Sequence, residues 1–344
     1  MKFVPENIVR KSLLKVKPYS TARDEFKGNA SIFLDANENP YNTDFNRYPD
    51  PRQSKLKEAI AQLKNVRPQQ IIIGNGSDEI IDLLIRAFCE PAVDNIIVPQ
   101  PTYGMYTVCA AINNVAIRQP QLNADFDLDL SSIEKSIDVN SKIIFLCSPN
   151  NPSGNLLEEE KVNALVNSFP GLVVVDEAYI DFANTSGFLS KLDNLPNLII
   201  LQTFSKAWGL AGLRLGVGYA SEAIIDILNK IKPPYNINTL SQQYALAALE
   251  KNYQKEETVN SLIQERTEME KQLQELNIVQ RVFPSQANFL LVRMDDAKAR
   301  YNYLLSHGII VRDRSSVVLC DNCLRITVGT PTENKALIQA LKNI

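Results

Sequence analysis

Between about residue 70 and residue 220, short apolar runs alternate with amphipathic segments, and this pattern restricts the possible folds most strongly. The runs are short and bounded by polar residues, which is typical of buried strands. The segments between them have apolar residues at helical spacing, such as Ile80, Leu84 and Phe88. Strands that alternate with crossover helices form a parallel sheet with helices on both faces. The chain is therefore predicted to be α/β, a three-layer sandwich with a large, mostly parallel sheet.

Seven runs are predicted strands of this sheet, at residues 71–73, 95–98, 115–118, 142–146, 172–175, 198–201 and 215–219. Pro233 and Pro234 then interrupt the chain before a helix at about 239–250 and a long polar helix that reaches about residue 276. Strands at 288–292, 308–311 and 324–328, with helices at 295–306 and 332–342, predict a smaller α+β unit. At 344 residues the chain exceeds the usual size of one core. We expect a large domain at 45–250, and a small domain that combines 1–44 with 251–344.

Composition excludes several classes of partner. The chain has 36 basic and 39 acidic residues, a net charge of -3, and no basic cluster of the density that nucleic-acid binding requires. No stretch approaches the roughly 20 apolar residues of a membrane span. Residues 1–17 lack the apolar core of a secretory signal. We expect a cytoplasmic protein that binds neither nucleic acid nor membrane.

Cysteine and histidine usage indicates neither a metal site nor a serine hydrolase. Cys320 and Cys323 form the single Cys-x-x-Cys pair, without the second pair or nearby histidine that a zinc site usually needs. The one histidine, His307, precedes Gly308 where a helix is predicted to end, and no Gly-x-Ser-x-Gly elbow accompanies it. We therefore expect no metal, and we interpret His307 as a helix-end residue.

Lys206 stands among small residues just after the apolar run at 198–201, in a segment that ends with Arg214. Ligand sites in open α/β sheets collect at such strand ends. A desolvated lysine can lose its proton and attack a carbonyl, while Arg214 and the Ser205 hydroxyl could hold a phosphate. Together these features indicate pyridoxal phosphate. The alternative is a surface lysine on a turn.

The segment Gly74-Asn75-Gly76-Ser77-Asp78-Glu79 lies between a predicted strand and a predicted helix. Free backbone N–H groups and the positive end of the helix attract phosphate there. A dinucleotide-binding fingerprint would have a third glycine at position 79, where this chain has glutamate. The segment by itself predicts a turn that favours anions.

Two further strand ends carry polar side chains. The prolines and glycine around Asn151 predict a rigid loop that holds its amide in a fixed direction, although a capped turn into the next helix is the alternative. Asp176 ends a very apolar strand, so its carboxylate needs a cationic partner, such as a protonated pyridine nitrogen or a nearby lysine or arginine. Tyr179 follows three residues later, where it can reach the same ring from another side.

These motifs in this order resemble the pyridoxal-phosphate-dependent aminotransferases of fold type I, and among them the histidinol-phosphate aminotransferases. The resemblance runs over nearly the whole chain, from Lys17 to Thr330. It implies a transaminase that moves an amino group between L-histidinol phosphate and 2-oxoglutarate, in L-histidine biosynthesis. Threonine-phosphate decarboxylases and aromatic-amino-acid aminotransferases share the fold and many of the motifs. A non-catalytic regulatory relative that retains the cofactor is a further alternative.

The resemblance also implies a role for each motif residue. It makes Lys206 the Schiff-base lysine that later carries the proton, and Asp176 the partner of the pyridinium nitrogen. Asn151 and Tyr179 would donate to the ring hydroxyl oxygen, and Tyr103 would stack on the ring. The residues that would hold the cofactor phosphate are Ser77, Asp78, Ser205 and Arg214.

The remaining motif residues concern the partner subunit and the substrate. The resemblance implies a homodimer in which Tyr48 reaches the cofactor phosphate of the neighbouring site. It assigns Tyr19, Asn37, Arg312 and Arg325 to the substrate side. Arginine suits that side because its guanidinium pairs with carboxylate or phosphate oxygens at two points. One mild departure from the family pattern is Ser153, where threonine is commoner.

Overall fold

The computed structural model describes residues 3–18, 22–26, 28 and 30–344. The strands of its larger sheet are β1 (Ile71–Asn75), β2 (Asn95–Ile97), β3 (Ala116–Arg118), β4 (Ser141–Cys147), β5 (Leu172–Asp176), β6 (Leu198–Thr203) and β7 (Leu215–Tyr219). Their order across the sheet is β1-β7-β6-β5-β4-β2-β3. Neighbouring strands are parallel except at β7, which runs antiparallel to both β1 and β6. The seven strands predicted for this sheet are confirmed.

The helices are α1 (Ala22–Glu25), α2 (Ser54–Lys64), α3 (Gly76–Phe88), α4 (Met105–Ile112), α5 (Leu130–Ser136), α6 (Glu159–Ser168), α7 (Glu222–Ile231), α8 (Thr239–Leu249), α9 (Asn252–Gln274), α10 (Ala297–Ser306) and α11 (Pro331–Lys342). Short 3-10 turns lie at Pro5–Asn7, Lys11–Lys15, Pro68–Gln70, Ile180–Phe182, Leu189–Lys191 and Ala211–Leu213. Apolar residues of α3, α4 and α7 pack with one face of the larger sheet. Those of α2, α6 and α8 pack with the other face. The predicted three-layer α/β sandwich is therefore confirmed.

The central strands of the larger sheet are buried on both faces. All five residues of β5 and all six of β6 are buried, and most of them are Val, Leu or Ile. Such continuous apolar runs form because helices cover both sides of a parallel sheet, so neither face needs polar side chains. The polar residues of β5 and β6 that matter for function therefore stand at the strand ends.

A second, smaller sheet lies in the last quarter of the chain. Its strands are β8 (Val279–Val282), β9 (Phe289–Met294), β10 (Arg312–Asp313) and β11 (Cys323–Thr327), in the antiparallel order β10-β11-β9-β8. Its apolar face packs with α9, α10 and α11 around Met269, Leu304 and Leu337. The predicted smaller α+β unit is confirmed, whereas its division from the larger unit at residues 44–45 and 250–251 stays a prediction.

The strand predicted at 308–311 is wrong, because pairing with β11 begins only at Arg312. Gly308 has a positive φ of 73°, and the Ile309 N–H donates to the Leu304 carbonyl, so these residues end α10. The sequence also gave no sign of β8, whose middle residues Gln280 and Arg281 are polar and exposed. His307 is the C-cap of α10, as its position before Gly308 predicted.

Candidate active site

The site lies where β1, β2, β4, β5 and β6 end at their carboxyl ends. These five strands run in the same direction, because β7 reverses the direction between β6 and β1 and the others are mutually parallel. The residues that follow them therefore meet at one edge of the larger sheet, where open α/β sheets bind ligands. The cofactor-side residues predicted from the sequence follow these strands or, in the case of Arg214, precede β7.

Asp176 is the last residue of β5 and is 2% exposed. Its Oδ2 accepts a hydrogen bond from the Tyr106 hydroxyl at 2.7 Å, and its Oδ1 accepts one from the Ala178 N–H at 3.1 Å. Burial raises the pKa of Asp176 to about 6, while these two hydrogen bonds oppose the rise. Among the described residues Asp176 has no ion-pair partner within 4.0 Å, so the lysine or arginine pair considered above is not present.

Tyr106 is a site residue that the sequence reasoning missed. It lies in α4, is fully buried, and stacks on Phe145 with ring centroids 4.9 Å apart. The signal available was its position three residues after Tyr103, a predicted cofactor-side residue. The two rings are in edge contact at 5.5 Å between centroids. Tyr106 thus supports both the Asp176 carboxylate and the Tyr103 ring.

Lys206 follows β6, and its side chain is exposed to solvent. Its Nζ lies 5.5 Å from the centroid of the Tyr179 ring. Partial burial and then the nearby positive charge of Arg325 lower the pKa of Lys206. A lowered pKa increases the fraction of neutral amine, which is the nucleophilic form. The lysine therefore has the electrostatic surroundings that attack on a carbonyl requires.

Asn151, Tyr179 and Arg325 form a chain of hydrogen bonds across the site. The Asn151 Nδ2 group donates to the Tyr179 hydroxyl at 3.2 Å, and its Oδ1 accepts from Arg325 Nη1 at 2.6 Å. Asn151 and Tyr179 are both buried. Because the amide oxygen is taken by Arg325, the amide hydrogens of Asn151 point away from it, toward Tyr179. The structure thereby brings together Asn151 and Tyr179, the two residues predicted to donate to the ring hydroxyl oxygen. It also joins them to Arg325, a predicted substrate-side residue.

The start of α3 faces Arg214. Gly76 has φ 73°, and its N–H donates to the Arg214 carbonyl at 2.8 Å. The Arg214 guanidinium lies 3.5 Å from Asp78 Oδ2, and Asp78 Oδ1 accepts from the Tyr103 hydroxyl at 3.0 Å. Ser77 follows Gly76 in the first turn, where backbone N–H groups have no partner inside the helix. Ser205 lies across the cleft after β6, and its own N–H donates to Thr203 Oγ1 at 3.1 Å.

The substrate-side predictions have different outcomes. Arg312 on β10 lies directly opposite Arg325 on β11, so the smaller sheet presents both arginines together. Asn37 is exposed with φ 53°, and no hydrogen bond joins its side chain to the described cofactor-side residues. Tyr19 lies outside the described residues.

Tyr48 is half exposed and stacks on Tyr235, with ring centroids 4.4 Å apart and an angle of 15° between the planes. Its N–H donates to Glu38 Oε1 at 2.7 Å. Burial raises the pKa of Glu38, but Glu38 also accepts from Arg23 and Arg47, and these bonds together with that from Tyr48 lower the pKa to about 2. None of these described contacts involves a cofactor-side residue of the same chain.

Comparison with known proteins identifies a family, a relative and two solved structures. Residues 30–341 match the family model described as aminotransferase class I and II. The chain is 53% identical over 99% of both lengths to the histidinol-phosphate aminotransferase of Cytophaga hutchinsonii. Among solved structures, the histidinol-phosphate aminotransferase of Clostridium acetobutylicum matches with a TM-score of 0.80 and 26% identity, covering 87% of this chain and 91% of that one.

A second solved structure contains the cofactor that the motifs predict. The histidinol-phosphate aminotransferase of Sinorhizobium meliloti in complex with pyridoxal phosphate matches with a TM-score of 0.79 and 25% identity. The match covers 87% of this chain and 83% of that one.

Proposed function

The chain belongs to the class I and II aminotransferases, and on that basis we propose that it is a pyridoxal-phosphate-dependent histidinol-phosphate aminotransferase. It would move the amino group of L-histidinol phosphate to 2-oxoglutarate, in L-histidine biosynthesis. The observation that carries the proposal is Asp176, a buried carboxylate without a cationic partner among the described residues. Burying an unpaired carboxylate costs several kcal/mol, so a ligand that brings a positive charge is strongly favoured.

The residues around Asp176 fit the other groups of the proposed cofactor. The N-terminal turn of α3, with Arg214 beside it, suits a phosphate, because free N–H groups and a guanidinium both favour dianions. The Asn151 amide and the Tyr179 hydroxyl suit a ring oxygen between them. The Tyr103 ring contacts the Tyr106 ring edge-on, and its own face suits stacking on a flat ring.

When bound, pyridoxal phosphate supplies an electron sink for the electrons left on the substrate when its Cα proton is removed. Asp176 would keep the ring nitrogen protonated, since a buried carboxylate stabilises an adjacent cation. Lys206 Nζ would take the proton from Cα and carry it to its next position, because burial and the charge of Arg325 lower the pKa of Lys206 and so increase the fraction of neutral amine that can accept a proton. Tyr106 would hold Asp176 in the ionised form and in a fixed orientation.

We expect Arg325 and Arg312 to bind the anionic groups of the two substrates. One pocket must accept the carboxylates of glutamate and the phosphate ester of an amino alcohol in turn. A guanidinium pairs with either group at two points, so the same arginines can serve both. Asn37 and Tyr19 keep their predicted place on the substrate side.

We also propose that the protein is a homodimer in which each active site contains residues of both subunits, and that it is located in the cytoplasm. Tyr48 is exposed at its stack with Tyr235, and its described contacts in its own chain lie outside the cofactor-side cluster. A tyrosine so placed can reach a cofactor phosphate in a second copy of the chain. None of the helices that the structure describes combines the length and the apolar composition of a membrane span.

Turnover assays test this function. We expect the purified protein with added cofactor to form glutamate from 2-oxoglutarate and histidinol phosphate, without release of carbon dioxide. Carbon dioxide from threonine phosphate would instead indicate a decarboxylase, and faster turnover of phenylalanine would indicate an aromatic aminotransferase. A protein that binds the cofactor and turns over none of these substrates would be a regulatory relative.

Lys206 is tested by trapping the cofactor on the chain. Borohydride reduction followed by mass spectrometry of peptides should place the cofactor on Lys206, because its amine is the one that bonds to the cofactor aldehyde. Lys206→Ala should bind the cofactor without any trapped label and lose nearly all turnover. The matched control is Lys191→Ala, a surface lysine paired with Glu159, which should be labelled like the wild type. Label on another lysine in Lys206→Ala would contradict the assignment.

A further inference from the structure

Three arginines, Arg312, Arg314 and Arg325, share one face of the smaller sheet. Arg312 pairs with Arg325 in the antiparallel ladder of β10 and β11, and the Arg314 N–H extends that ladder to the Cys323 carbonyl at 2.9 Å. Side chains two residues apart on a strand point to the same side, and directly paired residues also share a side. Leu324 belongs to the other face, because it packs in the core of the smaller unit. The arginines therefore face the cleft that contains Asn151.

In the part of the chain that the structure describes, no carboxylate forms an ion pair with the arginines of this face. Among the described residues, Arg325 donates to the neutral Asn151 amide, and neither Arg312 nor Arg314 forms an ion pair. The nearest acidic neighbour in sequence, Asp313, points to the opposite face and is already bonded to the N–H and hydroxyl of Ser315. Burial and then the charges of Arg325 and Arg312 lower the pKa of Arg314. Arginine nevertheless stays protonated, so three positive charges adjoin the pocket.

Arg314 is distinct among the three because part of its guanidinium is buried without a partner. Its Nε is inaccessible to solvent and has no hydrogen-bond acceptor among the described residues. A buried charged donor without an acceptor is destabilising, by more than a neutral one. Burial is the main cause of the lowered pKa of Arg314, and smaller effects on that pKa come from Arg325, Arg312 and Tyr179, which are therefore within electrostatic reach of its guanidinium. An anion in the pocket would offset part of this cost through its charge, by binding the rest of the guanidinium.

We propose that Arg314 is a substrate-binding residue that, together with Arg312, holds the phosphate group of a phosphate-monoester substrate and so sets the preference for phosphorylated amines. This inference rests on the proposed function, which supplies a substrate of that class. A phosphate dianion has three terminal oxygens, and two guanidinium groups can satisfy them with charge-assisted hydrogen bonds. Arg325, already engaged with Asn151, remains available to a carboxylate or to the other end of the substrate.

Binding and kinetics of Arg314→Gln test this proposal on the holoenzyme. We expect calorimetric titration with inorganic phosphate to show binding to the wild type that is weakened about tenfold or more in Arg314→Gln, the size of one charge-assisted hydrogen bond. The KM for histidinol phosphate should rise by a similar factor with little change in kcat. The half-reaction with glutamate should stay within about twofold of wild type, because the two oxygens of a carboxylate can be bound by Arg312 and Arg325 without Arg314.

Two further variants separate this role from general charge and from folding. Arg281→Gln removes one positive charge from β8 of the same sheet, where Arg281 is exposed over the Phe283 ring, and should bind phosphate like the wild type. Arg314→Lys keeps the charge and should retain part of the phosphate binding; it also serves if Arg314→Gln does not fold. Unchanged phosphate binding in Arg314→Gln, or an equal loss with glutamate, would overturn the proposal.

Failure of the proposed function would be seen separately. Absence of histidinol phosphate turnover in the wild type would reject that function, whereas the titration with inorganic phosphate requires no turnover. Wild-type holoenzyme that does not bind phosphate would overturn the role of Arg314 even if the transaminase is active.

Discussion

At the scale of single residues, the site depends on how burial and hydrogen bonds act on charge. Asp176 is buried and forms no ion pair with any residue that the structure describes, yet the Tyr106 hydroxyl and the Ala178 N–H both donate to its carboxylate. Lys206 has a lowered pKa because it is partly desolvated and close to Arg325. One group is thus prepared to stabilise a positive charge and the other to accept a proton, which are the complementary tasks of the proposed reaction.

The raised pKa of Asp176 predicts how the stability of the cofactor-free protein depends on pH. The folded chain holds the proton up to about pH 6, whereas the unfolded chain releases it near its ordinary value of 3.8. The folded state binds more protons in this window, so its stability should fall as pH rises from about 4 to 6 and then level off. Asp176 should lower the free energy of unfolding by about 3 kcal/mol between these pH values.

Urea unfolding of cofactor-free wild type and Asp176→Asn at several pH values measures this contribution. The wild type should lose more stability than Asp176→Asn between pH 4 and 7. Glu177, whose burial raises its pKa to about 7, contributes a decline in the same direction to both proteins. Parallel pH profiles for the two proteins would be inconsistent with the raised pKa of Asp176. Bound cofactor should reduce the wild-type decline, since its ring nitrogen supplies the missing partner.

At the scale of elements, the approach of α3 to β7 creates the proposed phosphate site. A Cβ on Gly216 in β7 would lie 2.1 Å from the Ser77 backbone nitrogen, so only glycine allows this close approach. Gly76 begins α3 with a positive φ, and a Cβ there would lie 2.7 Å from Arg214 Nη2. These two glycines therefore let the helix start, Arg214 and Ser77 converge on one small space.

Gly76→Ala should destabilise this element and weaken cofactor binding. Any residue with a Cβ pays about 1–2 kcal/mol to adopt the left-handed backbone conformation of Gly76. The new methyl group would also displace the Arg214 guanidinium. The matched control is Gly104→Ala, because Gly104 has φ -68° and open space around its Cβ position. Urea unfolding and absorbance titration with pyridoxal phosphate measure the two effects. Similar results for both alanine variants would argue against this role of Gly76.

At the scale of the whole molecule, function depends on joining two sheets that are distant in sequence. Arg325 on β11 donates to Asn151 after β4, which precedes it by 174 residues. The Gln286 N–H also donates to the Gly154 carbonyl at 2.7 Å, so the loop after β4 is held by the smaller unit at two points. The proposed homodimer would add Tyr48 from a second copy to this arrangement.

Subunit mixing tests whether Tyr48 acts on the neighbouring site. Lys206→Ala and Tyr48→Ala should each be strongly impaired alone. About half of the dimers in a random mixture of the two chains contain one copy of each variant, and such a dimer has both defects in one site and none in the other. The mixture should therefore recover about a quarter of the wild-type sites. Mixing Lys206→Ala with Asp176→Ala should recover nothing, since both residues serve their own chain's site. Failure of the Tyr48 mixture to recover activity would show that Tyr48 does not act across subunits.

The sequence alone determined the larger sheet and the position of the site along the chain. Seven short apolar runs separated by amphipathic segments predict buried parallel strands, and polar residues after such strands meet at one edge. Asp176, Tyr179, Asn151 and Lys206 could therefore be placed near one another before any contact was known. Their roles, and the substrate residues, came from the family resemblance.

Only the tertiary structure decided which side chains touch. The hydrogen bond from Tyr106 to Asp176 spans 70 positions of the sequence, and that from Arg325 to Asn151 spans 174 positions. No local spacing encodes such pairs. The shift of β10 from 308–311 to Arg312–Asp313 likewise reflects the termination of α10 at Gly308 and pairing with β11, rather than strand propensity. That register is what turns Arg312 and Arg314 toward the cleft, because a slip of one residue would reverse the face of every side chain.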